Sequence, residues 1–252
     1  MKKLSIALIV FFILLSGCTS EEKGESSNPS LTLSQPTFTQ STVMSTQPTT
    51  ASEHKEDGLL ASFSSNSQDK QLVLYRNSVS SLTVKTNGGT SNVPISKDWE
   101  KYVVKESIFA SIVPNSNVSW LLLTSEPSAG QMGKTLYKSK DNGKSWALVN
   151  DISQVIDGYV TGVTFSDDKN GWVAASQHGT ELVPLYRTKD GGKSWSVQSI
   201  DIPKGYQYGN AYPPIFNEKD TKQGTLKIEF VGISNTESVE FKTTDGGETW
   251  KS

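Results

Sequence analysis

Apolar residues fall into three regimes along the 252-residue chain. An apolar run spans Leu4 to Leu15, interrupted only by Ser5, and almost nothing apolar lies between residues 19 and 57. From Gly58 onward short hydrophobic runs alternate with clusters of turn residues. Period-two alternation over four to eight residues predicts strands. Phe109 to Val113 and Val160 to Phe165 alternate in this way. Each is followed by a turn (114 to 117, 167 to 171) and then by a tryptophan-centred strand, Val118 to Leu123 or Asn170 to Ala175. Pro214 to Phe216 and Gly224 to Phe230 repeat the pattern near the end of the chain.

A longer period overlies the strands. Leu136 to Trp146, Leu185 to Trp195 and Glu240 to Trp250 nearly superimpose, each an aromatic-centred strand, an Asp-Gly turn, and a second strand opening at Trp. That is a β-hairpin signature, because Gly supplies positive φ and Asp satisfies the turn's backbone donors. Ser139 to Trp146, Thr188 to Trp195 and Thr243 to Trp250 resemble the Asp-box, Ser/Thr-x-Asp-x-Gly-x-x-Trp, also called the BNR repeat. The boxes place Asp141, Gly143, Trp146, Asp190, Gly192, Trp195, Asp245, Gly247 and Trp250 at matching positions. Trp99, Trp146, Trp195 and Trp250 are 47, 49 and 55 residues apart, while Trp120 and Trp172 are 52 apart in another phase. A period near fifty residues is that of one four-stranded propeller blade.

The resemblance implies an all-β fold, a small β-propeller of about four four-stranded blades. Residues 59 to 104 form a degenerate first blade whose Asn87-Gly-Gly turn lacks the Asp. Trp99, Trp146, Trp195 and Trp250 are expected to start the outermost strand of each blade, and Phe109 to Val113 and Val160 to Phe165 to line the central channel. Because the chain stops just after Trp250, Leu59 to Ser64 is expected to supply the last blade's outer strand and close the ring.

The apolar start fits a different role. Lys2 and Lys3 precede it, Leu15-Ser16-Gly17-Cys18 ends it, and it is too short to span a membrane comfortably. Residues 1 to 17 resemble a bacterial lipoprotein signal peptide. The resemblance implies that Cys18 becomes the first mature residue and carries a diacylglycerol whose two chains hold the protein to the outer side of the cell membrane. Residues 18 to 57, rich in Ser and Thr with Pro29, Pro36 and Pro48, read as a disordered tether. The domain proper is then 58 to 252. Cys18 is the only cysteine, so packing alone must stabilise the fold.

Composition narrows the chemistry. The formal net charge is −2 and the lysines are spread, which argues against a nucleic-acid partner. One histidine, His178, and no available thiol in the domain argue against a zinc site, and no cofactor is implied. Asp-box carboxylates, locked in hairpin turns, read as structural and not catalytic. The boxes are also similar to those of sialidases, which grip a substrate carboxylate with three arginines. Only Arg76 and Arg187 are present and the Phe-Arg-Ile-Pro stretch is missing, so a sialidase-like glycoside hydrolase is the most distant reading.

Binding remains, and no catalytic residue is assigned. The repeats are similar to those of the photosystem II stability and assembly factor family, scaffolding propellers, which implies an extracytoplasmic protein-binding or assembly role. A carbohydrate- or cell-wall-binding module is the alternative. Either ligand is expected opposite the Asp-boxes, on segments 126 to 134, 151 to 159, 176 to 183, 201 to 212 and 232 to 238. Tyr206, Tyr208, Asn210 and Tyr212 are the first candidates, because exposed tyrosines give rigid amphipathic contact area. His178 with Glu181 forms a weaker loop pair.

Overall fold

The computed structural model describes residues 58–65, 69–76, 82–100, 103–128 and 131–252. The expected signal peptide (1–17), the lipidation site Cys18 and the tether (18–57) lie outside the described residues.

The domain is all-β, with three antiparallel sheets of four, four and eight strands. The first sheet runs in chain order through β1 (Leu59–Ser64), β2 (Gln71–Arg76), β3 (Leu82–Thr86) and β4 (Gly89–Val93). A one-turn helix, α1 (Lys97–Glu100), leads to the second sheet: β5 (Ile108–Ile112), β6 (Ser119–Thr124), β7 (Lys134–Ser139) and β8 (Ala147–Asp151). The eight-stranded sheet is two further meanders. β9 (Tyr159–Phe165), β10 (Gly171–Ser176), β11 (Leu185–Thr188) and β12 (Ser196–Val197) form the third. In the fourth, β13 (Tyr208–Ala211) and β14 (Ile215–Phe216) both pair with β15 (Gly224–Val231), which pairs with β16 (Thr236–Thr243). Among the described residues the strand pairing between the third and fourth meanders is the single pair Ser176↔Asn210.

Each irregularity has a local cause. β13 and β14 are one strand interrupted at Pro213 and Pro214, which have no N–H for the ladder. The fourth meander's outer strand is reduced to the bridge Lys242↔Lys251, with hydrogen bonds of 2.7 and 2.9 Å.

Three hydrophobic clusters hold the four meanders together, one at each step along the chain. Leu72, Leu74 and Val84 meet Leu121, Leu123 and Trp146 in the first. Trp120, Leu122 and Leu136 meet Phe165, Val173 and Tyr186 in the second. Trp172, Ala174 and Leu185 meet Leu226, Ile228 and Phe230 in the third. The middle strands β6 and β10 are therefore buried on both faces. β2 and β15 alternate, with Leu72 and Leu74 or Leu226, Ile228 and Phe230 inward and Gln71, Val73 and Tyr75 or Thr225, Lys227 and Glu229 away from the core. First strands also neighbour one another, β1 beside β5 and β5 beside β9.

Two expectations are corrected. Leu59–Ser64 does not complete the last sheet; it pairs with Gln71–Arg76, and among the described residues no strand of the fourth meander pairs with one of the first. A hairpin closed over a short loop needs far less chain ordering than a pairing across the whole domain, and it buries Leu60 and Phe63 against the first cluster. Trp99 does not open an outer strand. The first meander turns tightly at Asn87–Gly88 and its fourth strand follows at once, leaving Trp99 in α1, where it packs on the first cluster. The other three tryptophans meet the expectation: Trp146 and Trp195 immediately precede β8 and β12, and Trp250 precedes the bridging Lys251.

Candidate functional site

The β7, β11 and β16 strands run toward one end of their sheets, and the three Asp-boxes cap them there. Their turns are nearly identical in hydrogen bonding. Two consecutive residues take positive φ in each, Asn142 and Gly143, Gly191 and Gly192, and Gly246 and Gly247. Ser139, Thr188 and Thr243 donate to Asp141, Asp190 and Asp245 at 2.7–2.8 Å, and each hydroxyl accepts the N–H of Gly143, Gly192 or Gly247 at 2.8–2.9 Å. The same carboxylates accept the backbone N–H groups of Ser145, Ser194 and Thr249 at 2.9–3.0 Å and their hydroxyls at 2.5–2.6 Å. Bonding from the Ser145 and Ser194 side chains, reinforced by their N–H groups, lowers Asp141 and Asp190 to about 2. Thr249 lowers Asp245 in the same way. Such acids stay ionised and fully engaged, which suits a turn clamp and not proton transfer.

Each box also reaches back to the preceding meander. A Cβ on Gly143 would lie 2.7 Å from Thr86, one on Gly192 2.4 Å from Leu136, and one on Gly247 2.5 Å from Trp172. The box tryptophans follow. Trp195 meets Phe165 edge-on at 6.1 Å, and Phe165 stacks on Trp120 at 3.7 Å. Trp172 and Trp250 both donate to the Gln198 side-chain oxygen, at 2.9 and 3.1 Å. Arg187, 6% exposed, lies over Trp172 and forks onto Glu248 of the next box at 2.8 and 2.9 Å.

The opposite end carries the residues singled out for binding, and the structure brings most of them together where the third and fourth meanders meet. His178 stacks on Tyr208 with centroids 3.9 Å apart. Tyr206 packs on Phe230 and donates its hydroxyl to Glu237, and that bond to a carboxylate raises the phenol's pKa above its ordinary value. Asn210 is buried, accepting from Ser176 and donating to Glu229 at 3.2 Å. Tyr212 points elsewhere, beneath the Lys227 ammonium at 4.9 Å, and burial raises its pKa. Glu181 is exposed on the β10–β11 loop, and its backbone carbonyl accepts the Ile202 N–H. The pairing found for His178 is thus aromatic stacking on Tyr208.

Glu229 completes this cluster from outside the expected segments, and Ser176 and Glu237 lie within segments 176 to 183 and 232 to 238 without having been singled out, because strand pairing alone brings them to the tyrosines. Lys134, the last residue of the expected segment 126 to 134, is a further group on this end that was not singled out. It is 2% exposed, donates to the Met132 carbonyl at 2.8 Å, and has its pKa lowered by burial against the opposing pull of Asp157 and Asp151. Among the described residues no group of three or more His, Cys, Asp or Glu is placed to hold a metal ion, and no helix is long and apolar enough to cross a membrane. Comparison with protein-family models and with curated proteins finds no match to this chain.

Proposed function

We propose that the chain is a lipid-anchored, extracytoplasmic binding module in which the four meanders act as Asp-box propeller blades and a protein partner docks on the end opposite the boxes. The carrying observation is the division of labour between the ends. Box carboxylates, glycines and tryptophans are consumed by turn bonding and by contact with the preceding meander. The opposite end offers partly exposed aromatic area, His178 on Tyr208 and Tyr206 beside Glu237. Rigid rings with adjacent acceptors are what binding surfaces concentrate.

A non-catalytic role is supported by both arginines. Arg187 is bound up with Glu248 and Trp172, and Arg76 donates to the Val103 carbonyl, so neither is spare to grip a substrate carboxylate. Residues 1 to 17 and Cys18 support the anchor by their sequence. Replacing Cys18 by Ser should abolish both cleavage after Gly17 and incorporation of labelled palmitate; retention of label would refute the anchor.

The binding reading is tested by cell-surface crosslinking followed by identification of the crosslinked species, with Tyr206→Ala/Tyr208→Ala as the comparison. One stoichiometric protein, lost in the variant, is expected. Retention on purified wall polymer that the same variant abolishes would replace the protein by a carbohydrate ligand. Turnover of a sialoside would overturn the non-catalytic reading.

A further inference from the structure

Four meanders make three apolar interfaces, which leaves one face of the first sheet and one of the fourth without a neighbouring sheet of the domain among the described residues. These two faces differ in shape. The first carries a cleft of about 330 Å³ lined by Leu59, Ser62, Val73, Tyr75 and Lys85, with Leu59 51% exposed. The fourth carries a projecting side chain, Ile215, 66% exposed.

Strand registers put cleft and projection at the same height. Ser62↔Val73↔Lys85 is the row beside the β3–β4 turn, and Ile215↔Thr225↔Lys242 is the row beside the third Asp-box. Both rows begin on the first strand of their meander. Continuing the packing that already joins meanders one to four would therefore set Ile215 over Ser62 and Val73.

We propose that the occupant of each face is the other face of a second copy, so that two chains join head to tail at two equivalent contacts and close a ring of eight meanders. A head-to-tail contact closes only if its rotation completes a circle. Eight sheets lie within the range of about four to eight blades at which propellers close. The area is adequate. The fourth meander's outer strand is a single bridge, so three strands about 4.8 Å apart and about six residues long present roughly 14 by 20 Å. Two such contacts give each copy a footprint of roughly 560 Å², or about 1,100 Å² in total, just above the ~1,000 Å² that a specific interface should clear. Lys85 and Lys242 share the contacting row, so the dimer should tighten as ionic strength rises.

The test uses the full chain in membranes and after detergent extraction. Ser62→Cys/Ile215→Cys, oxidised mildly, should give one discrete covalent dimer on a non-reducing gel, absent from the parent chain, whose only cysteine is Cys18. An intramolecular bond in a monomer would overturn the proposal by showing that one chain closes on itself, a ladder by showing an open filament, and no crosslink by showing that the faces do not meet. Sedimentation of the detergent-solubilised parent should give twice the chain mass. Ile215→Lys, at a site exposed enough to leave folding intact, should weaken association at least about tenfold per contact. A parent that stays monomeric at all salt concentrations refutes the dimer. Neither readout involves Tyr206 or Tyr208, so this proposal and the binding reading fail separately.

Discussion

The third Asp-box offers a controlled experiment within one turn. Gly246 and Gly247 are adjacent and have almost the same backbone, φ +73° and +76°. They differ in space. A Cβ on Gly246 would meet nothing closer than the Thr221 carbonyl at 3.7 Å, whereas one on Gly247 would lie 2.5 Å from Cζ2 of Trp172 and 3.1 Å from Trp250. Trp172 is fully buried between the third and fourth meanders and its ring cannot swing aside. Gly246→Ala should therefore show the left-handed backbone penalty alone, about 1–2 kcal/mol. Gly247→Ala should add an overpacking cost of about 1–3 kcal/mol, reaching roughly 2–5 kcal/mol in all. For a domain of this size each kcal/mol lowers Tm by about 2–4 °C, so the two variants should separate by several degrees. Urea unfolding followed by tryptophan fluorescence measures the same difference as a shift in midpoint at unchanged slope. Equal destabilisation would refute the claim that the second box glycine is required by contact with the preceding meander.

Two further predictions concern charge. Asp190 is held at about 2 against an ordinary 3.8, so its contribution is fully present above pH 3.8 and is lost as pH falls through about 2. Screening at this exposed site leaves about 1 kcal/mol. The gap in urea midpoint between the parent and Asp190→Asn should shrink from pH 6 to pH 2, and a constant gap would contradict the assignment. At the third interface, Arg187→Met keeps volume over Trp172 and removes the charge, costing under about 1 kcal/mol, while Glu248→Gln strands a guanidinium that is 6% exposed and costs about 2 kcal/mol. The reverse order in thermal melts would show that the ion pair is not what Glu248 supplies.

Turn chemistry made much of this architecture legible. The three boxes and the strands beginning at Ile108, Ser119, Tyr159 and Gly171 stand where the repeat predicts them, because a hairpin's signature is local. Ring closure was not legible in that way. Box spacing counts meanders, but whether the ends meet depends on pairing between residues far apart in sequence. A relevant signal lay in the hydrophobic pattern: Leu121, Leu122 and Leu123 run together in a strand covered on both faces, whereas Thr225, Lys227 and Glu229 alternate with the core of a strand covered on one. Trp99 matched the tryptophan period yet followed no Asp-box, and spacing without the turn did not place it. At the candidate site the tyrosines stood out within one short segment. Glu237 did not, because β15 and β16 must pair before it can meet Tyr206.

In every Asp-box the second glycine leans on the meander before it. A polypeptide appearing from its N-terminus would thus have each sheet wait, its inner face wet, until the next hairpin arrives to latch it. Assembly is ratcheted in the order of synthesis, and erosion runs in reverse. A protease nibbling from the C-terminus would first remove Trp250 and Gly247, uncover Trp172 on the third meander, and leave the earlier latches fastened. The fragments that survive such trimming should end at successive boxes, about fifty residues apart.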